Sequence, residues 1–390
     1  MRVLHLMTDW IFADGPIEVF LSCDIQNKFV ILRETDDKDI RKIQLAQYVD
    51  VVEIGTAEYE DIKNCKWDLI WVHGLTNNHA RFVLSLKQKT FVMWSTWGYD
   101  YVRFASRWLY GVHTTFLWLK ITPFKTIVKT ILTYLVAKTG LVRFLPHLHC
   151  RFFRLVDFYS VVISDEDQFM SRILKKTARR VDFHYIGLKP KQGEVIEFPV
   201  VDLNAKRIWI GNSATLTNNH IDVFHIVSKL REYQVLVPLS YALHSKRDIV
   251  TDMIDSIGVE LLKERFCPIH DFMPFDEYKN LMSTCAVFIF AHRRQQSVGN
   301  LCLALRLGGC VIMNSCSPAY QYFTRHGVVI YSLAELNRRG INKILTEFRL
   351  HQRENIERYK QLRNYDKLVS EIKHSVDYLR AEIDNEVLDV

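Results

Sequence analysis

Between Tyr101 and Val156 the sequence contains no aspartate and no glutamate. The same 56 residues hold nine basic side chains (Arg103, Arg107, Lys120, Lys125, Lys129, Lys138, Arg143, Arg151 and Arg154) and eleven Phe, Tyr or Trp. The whole chain carries +7, so the remainder sums to −2 and this segment holds the excess positive charge. A long apolar run is missing too. The longest uncharged apolar stretch in the segment, Thr130 to Ala137, is far below the roughly 18–20 residues that span a bilayer. A transmembrane helix is thereby excluded, and three readings remain. Basic residues mixed with Trp, Phe and Leu on helices mark an element lying in a membrane interface, where anionic lipid attracts each nearby Lys or Arg by about 1 kcal/mol. The aromatics can equally form the core of an ordinary helical insertion. A nucleic-acid surface is the third reading, and no reading-head motif accompanies the charge. On the membrane reading, the associating residues are Arg103, Arg107, Trp108, Trp118, Lys120, Lys125 and Lys129.

Other absences narrow the class. None of the eight cysteines forms a C-x-x-C pair, and most sit inside apolar runs, where Cys behaves as a small hydrophobe. A reduced, cytoplasmic setting follows, and a zinc site is not expected. The start, MRVLHLMTDW, meets an acid after a seven-residue strand-like run, too early for a signal peptide. There is no internal repeat and no low-complexity tract.

What is present is a globular composition, 48% hydrophobic and 24% charged, over 390 residues. That length suggests two domains. In the first half RVLHLM, FVILR, VDVVEIG, DLIWVHG, FVMWSTWG, YSVVIS (159–164) and VDFHYIG (181–187) read as strands, rich in β-branched and aromatic residues and bounded by turns or charges. The second half alternates strand and helix more cleanly. RIWIGNS, QVLVPLSY, RFCPIHDFM, CAVFIFA, CVIMN and VVIYS are the strands; 218–233, RDIVTDMIDSIGVEL, FDEYKNLMST and 299–308 are the helices. This alternation predicts α/β domains with parallel, doubly wound sheets. A polar stretch near 189–205 suits a linker, giving domains 1–200, with the basic aromatic insertion at about 101–156, and 201–390, ending in a charged helical tail. Two such domains in tandem place a ligand at the carboxyl ends of the strands, in the cleft between them.

Several loops there hold polar groups. His73 and Gly74 end one strand, and a histidine in that place is a general base, a phosphate contact or a satisfied turn residue. Asp100, in WSTWGYDY, suits base catalysis or a helix N-cap. Gly211, Asn212 and Ser213 form a small-residue loop that lets backbone N–H groups approach an anion, or simply a tight turn. Ser240 and Tyr241 occupy the equivalent loop one strand later. The triad DED (165–167) matches a D-x-D metal pattern but opens a helix, where acids ordinarily complement the dipole. RQQSVGNLCLALRLGGCVI, from Arg294 to Ile312, reads as a turn, a helix and a strand that follow CAVFIFA.

The run RRQQSVGNLCLALRLGGCVIMNSCSP, with IWIGNSATLTNNHIDVF, VLVPLSY and FMPFDEYKNLMSTCAVFIFA, resembles the TDP-Fuc4NAc:lipid II Fuc4NAc transferases, glycosyltransferase family 56, also called 4-alpha-L-fucosyltransferases. The similarity is strongest over about 207–325, present at VHG and WGYDY, and not visible in 104–150 or the last 60 residues. Ser297 stands where the family pattern has Gly, and Asn300 where it has Thr.

The resemblance implies a GT-B architecture, two Rossmann-like domains facing a central cleft, with donor on the second and acceptor on the first. It implies a TDP-sugar donor and an undecaprenyl-diphosphate-linked saccharide acceptor at the cytoplasmic face of the bacterial inner membrane, in surface polysaccharide synthesis such as that of enterobacterial common antigen. No cofactor or metal and no nucleic-acid partner is expected. On this reading the donor site comprises Gly211, Asn212, Ser213, Tyr241, Phe272, Met273, Pro274, Phe275, Arg294, Gln295, Gln296, Ser297, Val298, Gly299 and Asn300. Arg294 and the helix start near Gly299 meet the diphosphate, and 273–275 flank the base. Asp100 is the first choice for deprotonating the acceptor hydroxyl and His73 the second. Two alternatives stand beside it: a transferase using a UDP- or GDP-sugar, and a non-catalytic membrane-surface scaffold that keeps the fold.

Overall fold

A computed structural model describes residues 1–10, 12–105, 107–185, 198–240 and 247–388. The chain divides into two compact units: 1–106 with 131–195 and 363–390, and 107–130 with 196–362.

The first unit is built on seven strands, β1 (Arg2–Met7), β2 (Gln26–Arg33), β3 (Val49–Glu53), β4 (Leu69–His73), β5 (Phe91–Ser95), β6 (Phe158–Ser160) and β7 (Arg179–Arg180). Their order is β3-β2-β1-β4-β5-β6-β7, with every pairing parallel. Helices cover both faces of such a sheet, so its strands are apolar on both sides. Alternation then sorts the side chains. Leu4, Leu6, Ile70 and Val72 enter one core, and Val3, Met7, Leu69 and Trp71 enter the other.

The second unit has β8 (Arg207–Ile210), β9 (Gln234–Pro238), β10 (Phe266–Ile269), β11 (Val287–Phe290), β12 (Cys310–Met313) and β13 (Tyr331–Ser332). The order is β10-β9-β8-β11-β12-β13, again all parallel. Both sheets share one topology. The chain winds outward from β1 or β8, then returns to pair β4 or β11 against the other side of that first strand. The crevice outside the carboxyl ends of those two central strands is where such sheets hold ligands.

The sequence expectations need four corrections. VDFHYIG forms no strand over 181–185: Val181 N–H donates to Tyr159 C=O, but Val181 and Phe183 turn into the core as irregular backbone. VVIYS pairs only at Tyr331–Ser332. The C-terminal helix Tyr365–Leu388 belongs with the first unit, because Leu368, Ile372, Val376, Leu379 and Ile383 make a stripe at helical spacing that packs in the core of Val3, Met7 and Phe20. Residues 107–130 group with the second unit rather than the first. Most of the expected linker, 189–197, lies outside the described residues.

Candidate functional site

In the second unit the loops after β8 and β11 meet at the switch point. β8 is followed by Gly211, whose φ of +68° lies in the left-handed region that favours glycine. A Cβ there would sit 2.7 Å from Asn218 Oδ1 and 2.9 Å from His220 Nε2, so only glycine fits. Asn218 is fully buried and is the hub of the loop. Its Nδ2 donates to Ser213 C=O at 2.8 Å, Thr215 Oγ1 at 2.9 Å and Ser213 Oγ at 3.1 Å. Because Nδ2 faces a carbonyl, Oδ1 is the acceptor, taking Asn212 N–H at 3.2 Å and His292 Nε2 at 2.6 Å.

That assignment fixes the histidine. His292 carries its proton on Nε2, and burial, with Arg294 nearby, holds its pKa well below the ordinary value. It is therefore neutral, with a lone pair on Nδ1 that finds no hydrogen-bond partner among the described residues.

Gln296 joins the two loops. Its Oε1 accepts from Thr217 Oγ1 at 2.7 Å, and its Nε2 donates to Thr215 Oγ1 at 3.2 Å and Asn212 Oδ1 at 3.3 Å. Ser297 follows with φ 58° and ψ 27°, left-handed for a residue that has a Cβ. This turn starts the helix Val298–Arg306, whose N-terminus receives no side-chain cap, so the N–H groups of Val298, Gly299 and Asn300 and the positive end of the dipole face outward. The buried Gln295 Oε1, Ser297 Oγ and Ser317 Oγ likewise have no partner among the described residues. Arg294 donates to Gln295 C=O at 2.7 Å. Buried polar groups without a protein partner call for an outside one, water or a polar ligand.

Of the remaining donor-side expectations, Phe272 and Phe275 are exposed, Met273 is half-buried and Pro274 starts the helix Phe275–Ser283. They follow β10, at the sheet edge and two strands from Gly211. Tyr241 lies outside the described residues.

In the first unit the two expected bases are held inside. His73 is buried at the end of β4. Its Nε2 lies 3.0 Å from His5 Nδ1, its Nδ1 3.1 Å from the Tyr185 hydroxyl, and His5 Nε2 lies 2.9 Å from Asn27 Oδ1. Asn27 Nδ2 donates to Phe20 C=O, so its Oδ1 accepts, and the chain has one direction. His5 Nε2–H donates to Asn27, His73 Nε2–H donates to His5, and Tyr185 O–H donates to His73. Burial pushes His5 down to about 3 and His73 well below its usual range, so both rings are neutral.

Asp100, also buried, accepts at Oδ2 from Leu75 N–H at 3.0 Å and Trp94 Nε1 at 3.1 Å, and at Oδ1 from Trp97 N–H at 3.1 Å. Burial raises its pKa to about 6 against the pull of those donors. Both residues thus hold the loops that follow β4 and β5. Two acids of the DED triad are similarly engaged. Glu166 accepts from the Tyr101 hydroxyl and from Ile163 N–H, and Asp167 from the Tyr159 hydroxyl.

The acid-free insertion forms two main helices, Val112–Ile121 and Phe124–Lys138. Among the described residues, no helix is long and apolar enough to cross a membrane. Three of the residues expected at a membrane are instead packed within the second unit. Trp118 is buried. Trp108 Nε1 donates to Thr115 Oγ1 at 3.0 Å while its ring lies against Tyr110 and Trp118. Arg107 donates to Arg293 C=O at 2.8 Å and to Cys316 C=O. The exposed Arg103 bonds His149 Nδ1 at 3.2 Å. Lys120, Lys125 and Lys129 are exposed, and so are large apolar side chains that sequence reasoning did not single out: Val112, Phe116, Leu119, Phe124, Val128, Ile131, Leu132 and Leu135. Phe116 is 68% and Phe124 80% exposed.

Sequence reasoning also missed Asn218 and His292. The only local signal was the Asn-Asn pair in TLTNNH, read as the lead into a helix, and His292 is 74 residues from its partner.

Solved structures with similar folds include sucrose-phosphate synthase from Thermosynechococcus elongatus, 10% identical over 98% of this chain and 100% of that one, TM-score 0.63. Anabaena HepE in complex with UDP and glucose is 11% identical over 97% and 100%, TM-score 0.60. An alpha,alpha-trehalose-phosphate synthase (UDP-forming) from Burkholderia vietnamiensis is 9% identical over 97% and 99%, TM-score 0.53. At such identity the likeness establishes the fold, which is GT-B. Residues 167–369, just over half of the chain, match the 4-alpha-L-fucosyltransferase family, glycosyl transferase group 56. The chain belongs to that family and is a glycosyltransferase.

Proposed function

We propose that the enzyme moves a deoxy-amino sugar of the Fuc4NAc type from a TDP-sugar to an undecaprenyl-diphosphate-linked saccharide, at the cytoplasmic face of the bacterial inner membrane, in surface polysaccharide synthesis. The observation that carries this reading is the pair of loops at the switch point of the second sheet, inside the segment that matches the family. The diphosphate of the donor lies against the N–H groups of Val298, Gly299 and Asn300 and the backbone of Asn212 and Ser213. Arg294, whose planar fork matches phosphate oxygens, meets the charge that grows on the leaving group. Preorganised donors aimed at developing charge commonly lower the barrier more than any other single effect. Phe272 and Phe275 flank the base. Gln296, which sets the spacing of the two loops, stands next to the strained Ser297, and both border the space left for the sugar. Asp100 and His73 position the acceptor-side loops.

The acceptor is a lipid, and the insertion supplies a way to reach it. Phe124, Val128, Ile131, Leu132 and Leu135 are all exposed and fall on one face of their helix, with Lys125, Lys129 and Lys138 beside the stripe and buried Ala137 on the opposite side. An apolar stripe edged by lysines suits anionic headgroups.

A panel of TDP-, UDP- and GDP-sugars, with lipid-linked acceptor in anionic vesicles and with and without chelator, tests the reading. Transfer from TDP-deoxy-amino sugars is the expected result. Transfer confined to a UDP- or GDP-sugar, or no transfer from any TDP-deoxy-amino sugar, would overturn the donor assignment.

A further inference from the structure

The first part of the acid-free insertion is fastened to the loops of the candidate donor site by four separate contacts. Arg107 Nη1 donates to the carbonyls of Arg293 and Cys316. Arg293 lies in the loop after β11 that runs into Arg294–Ser297, and Cys316 precedes the helix Pro318–Arg325 that follows β12. One guanidinium therefore ties together the carboxyl-end loops of two adjacent strands. Arg293 answers it, donating from Nη1 to Tyr110 C=O at 2.9 Å.

Asn219 makes the third contact. It is buried and held left-handed at φ 54° and ψ 38°, a conformation that costs a non-glycine residue of order 1 kcal/mol. In that pose its Oδ1 accepts Gly111 N–H at 2.8 Å, and its Nδ2 reaches Ala291 C=O at 3.0 Å, Leu109 C=O at 3.2 Å and Thr217 C=O at 3.2 Å. One amide thus joins the insertion to both donor loops.

Asp222 makes the fourth. Its carboxylate accepts His113 N–H at 3.0 Å, Thr114 N–H at 3.0 Å and Thr114 Oγ1 at 2.6 Å. It lies so close that a Cβ on Gly111 would fall 2.4 Å from Asp222 Cγ. Behind these contacts Leu117 sits in the core of the second unit. The other side of the same helix is bare: Val112, Phe116 and Leu119 are exposed.

We infer that Arg107 is a positioning residue of the donor site, and that through it, with Asn219, the membrane-docking insertion sets the loop Ala291–Ser297. The docking and the assignment of these loops to the donor rest on the function proposed above; the effect of Arg107 on the loops does not. The physical ground is rigidity. A loop whose own polar atoms are left for a ligand needs its backbone carbonyls held from elsewhere, and here the holder is a helix whose outer face is free to meet a surface. Immobilising that helix restricts the loop and lowers the ordering cost of donor binding.

Hydrogen exchange on the full chain tests this without knowing the donor. The probe peptides cover 291–297 and 314–318, with and without vesicles of phosphatidylglycerol and phosphatidylcholine, alongside co-sedimentation. In the unsubstituted protein, vesicles are expected to slow exchange in both peptides. In Arg107→Ala, exchange in both is expected to rise severalfold without vesicles, while peptides in the helix Gln352–Leu362 are unchanged; vesicles then no longer restore protection although the protein still sediments. Phe116→Ser is expected to behave oppositely, with ordinary loop protection in solution and a weakened vesicle response. Loop exchange in Arg107→Ala equal to that of the unsubstituted chain overturns the inference. Failure of the unsubstituted chain to sediment removes the membrane reading alone and leaves the Arg107 comparison to decide the positioning role.

Discussion

Asn218→Leu is the most informative single change, because it keeps the branched shape and removes every polar contact of the hub. His292 Nε2–H then loses the acceptor now 2.6 Å away, and Ser213 C=O loses the donor now 2.8 Å away. Asn212 N–H and Thr215 Oγ1 lose partners too, but both residues are half-buried, where water can replace an amide, and Ser213 Oγ keeps Thr215 Oγ1 as a partner. Counting only the two buried groups, each orphaned donor or acceptor costs about 1–3 kcal/mol. The added apolar contact of leucine returns about 1 kcal/mol. The net expectation is a loss of about 3 kcal/mol, read from urea unfolding followed at the tryptophans. Titration with TDP should show a second effect, since the loop that Asn218 shapes also presents Asn212 and Ser213, and affinity is expected to fall at least about tenfold for a displacement worth 1.4 kcal/mol. Asn218→Asp separates the two halves of the account. It keeps the acceptor for His292 but faces Ser213 C=O with an oxygen, so it should be destabilised as well, and less so at pH values where the new acid is protonated. Stability of Asn218→Leu within about 0.5 kcal/mol of the unsubstituted chain, the range of ordinary surface changes, would refute the hub.

Two further outcomes follow. Gly211→Ala drives a methyl to 2.7 Å from Asn218 Oδ1 at a φ of +68°, so it should cost about 2–4 kcal/mol from backbone strain and clash together; nucleotide affinity as strong as that of the unsubstituted protein would show that the loop after β8 does not touch the donor. The buried histidines predict acid lability. His5 and His220 are pushed down to about 3 and His79 to about 4, so the unfolded chain takes up protons first as pH falls below about 6.5. The stability these neutral rings contribute is complete above that pH and is lost on the way to the folded values. At pH 5 each costs about 2 kcal/mol. Asp100 works the other way, since its pKa is raised to about 6, and it returns about 1 kcal/mol at pH 5. Denaturation midpoints that stay level from pH 7 to pH 5 would contradict this account.

The fold was largely legible because buried parallel strands are continuous apolar runs, and CAVFIFA and DLIWVHG can be little else. Strand order was not, since nothing in a strand names its neighbour. The tail shows the same limit: Leu368, Ile372, Val376, Leu379 and Ile383 announce an apolar stripe, but not which sheet it covers. At the candidate donor site Arg294 to Asn300 was visible through its glycine and its family pattern. Asn218 and His292 were not, because their significance lies in a contact between loops far apart in sequence. Ser297 stood out as a departure from the pattern; the structure adds that it occupies a left-handed turn, where glycine is the easier residue. The insertion was the least legible part. The sequence reading singled out Trp108 and Trp118 and passed over Phe116 and Phe124, yet the first pair packs inward and the second faces out. Aromatic content reports how much apolar surface a segment has, not which side of it is covered.

The absence of acids has a second consequence inside the structure. A helix start is favoured by an acceptor and a negative charge, together worth about 1–2 kcal/mol, and residues 101–156 contain no acid to provide the charge. The helix Val112–Ile121 obtains both from Asp222, which lies at the start of the helix His220–Val227 in the second unit and bonds the N–H groups of His113 and Thr114. Supplying the cap from Asp222 satisfies the helix start. It also makes the insertion's first helix dependent on the unit that carries the donor loops. A helix that takes its cap from what it is packed against is fixed to it by the same contacts.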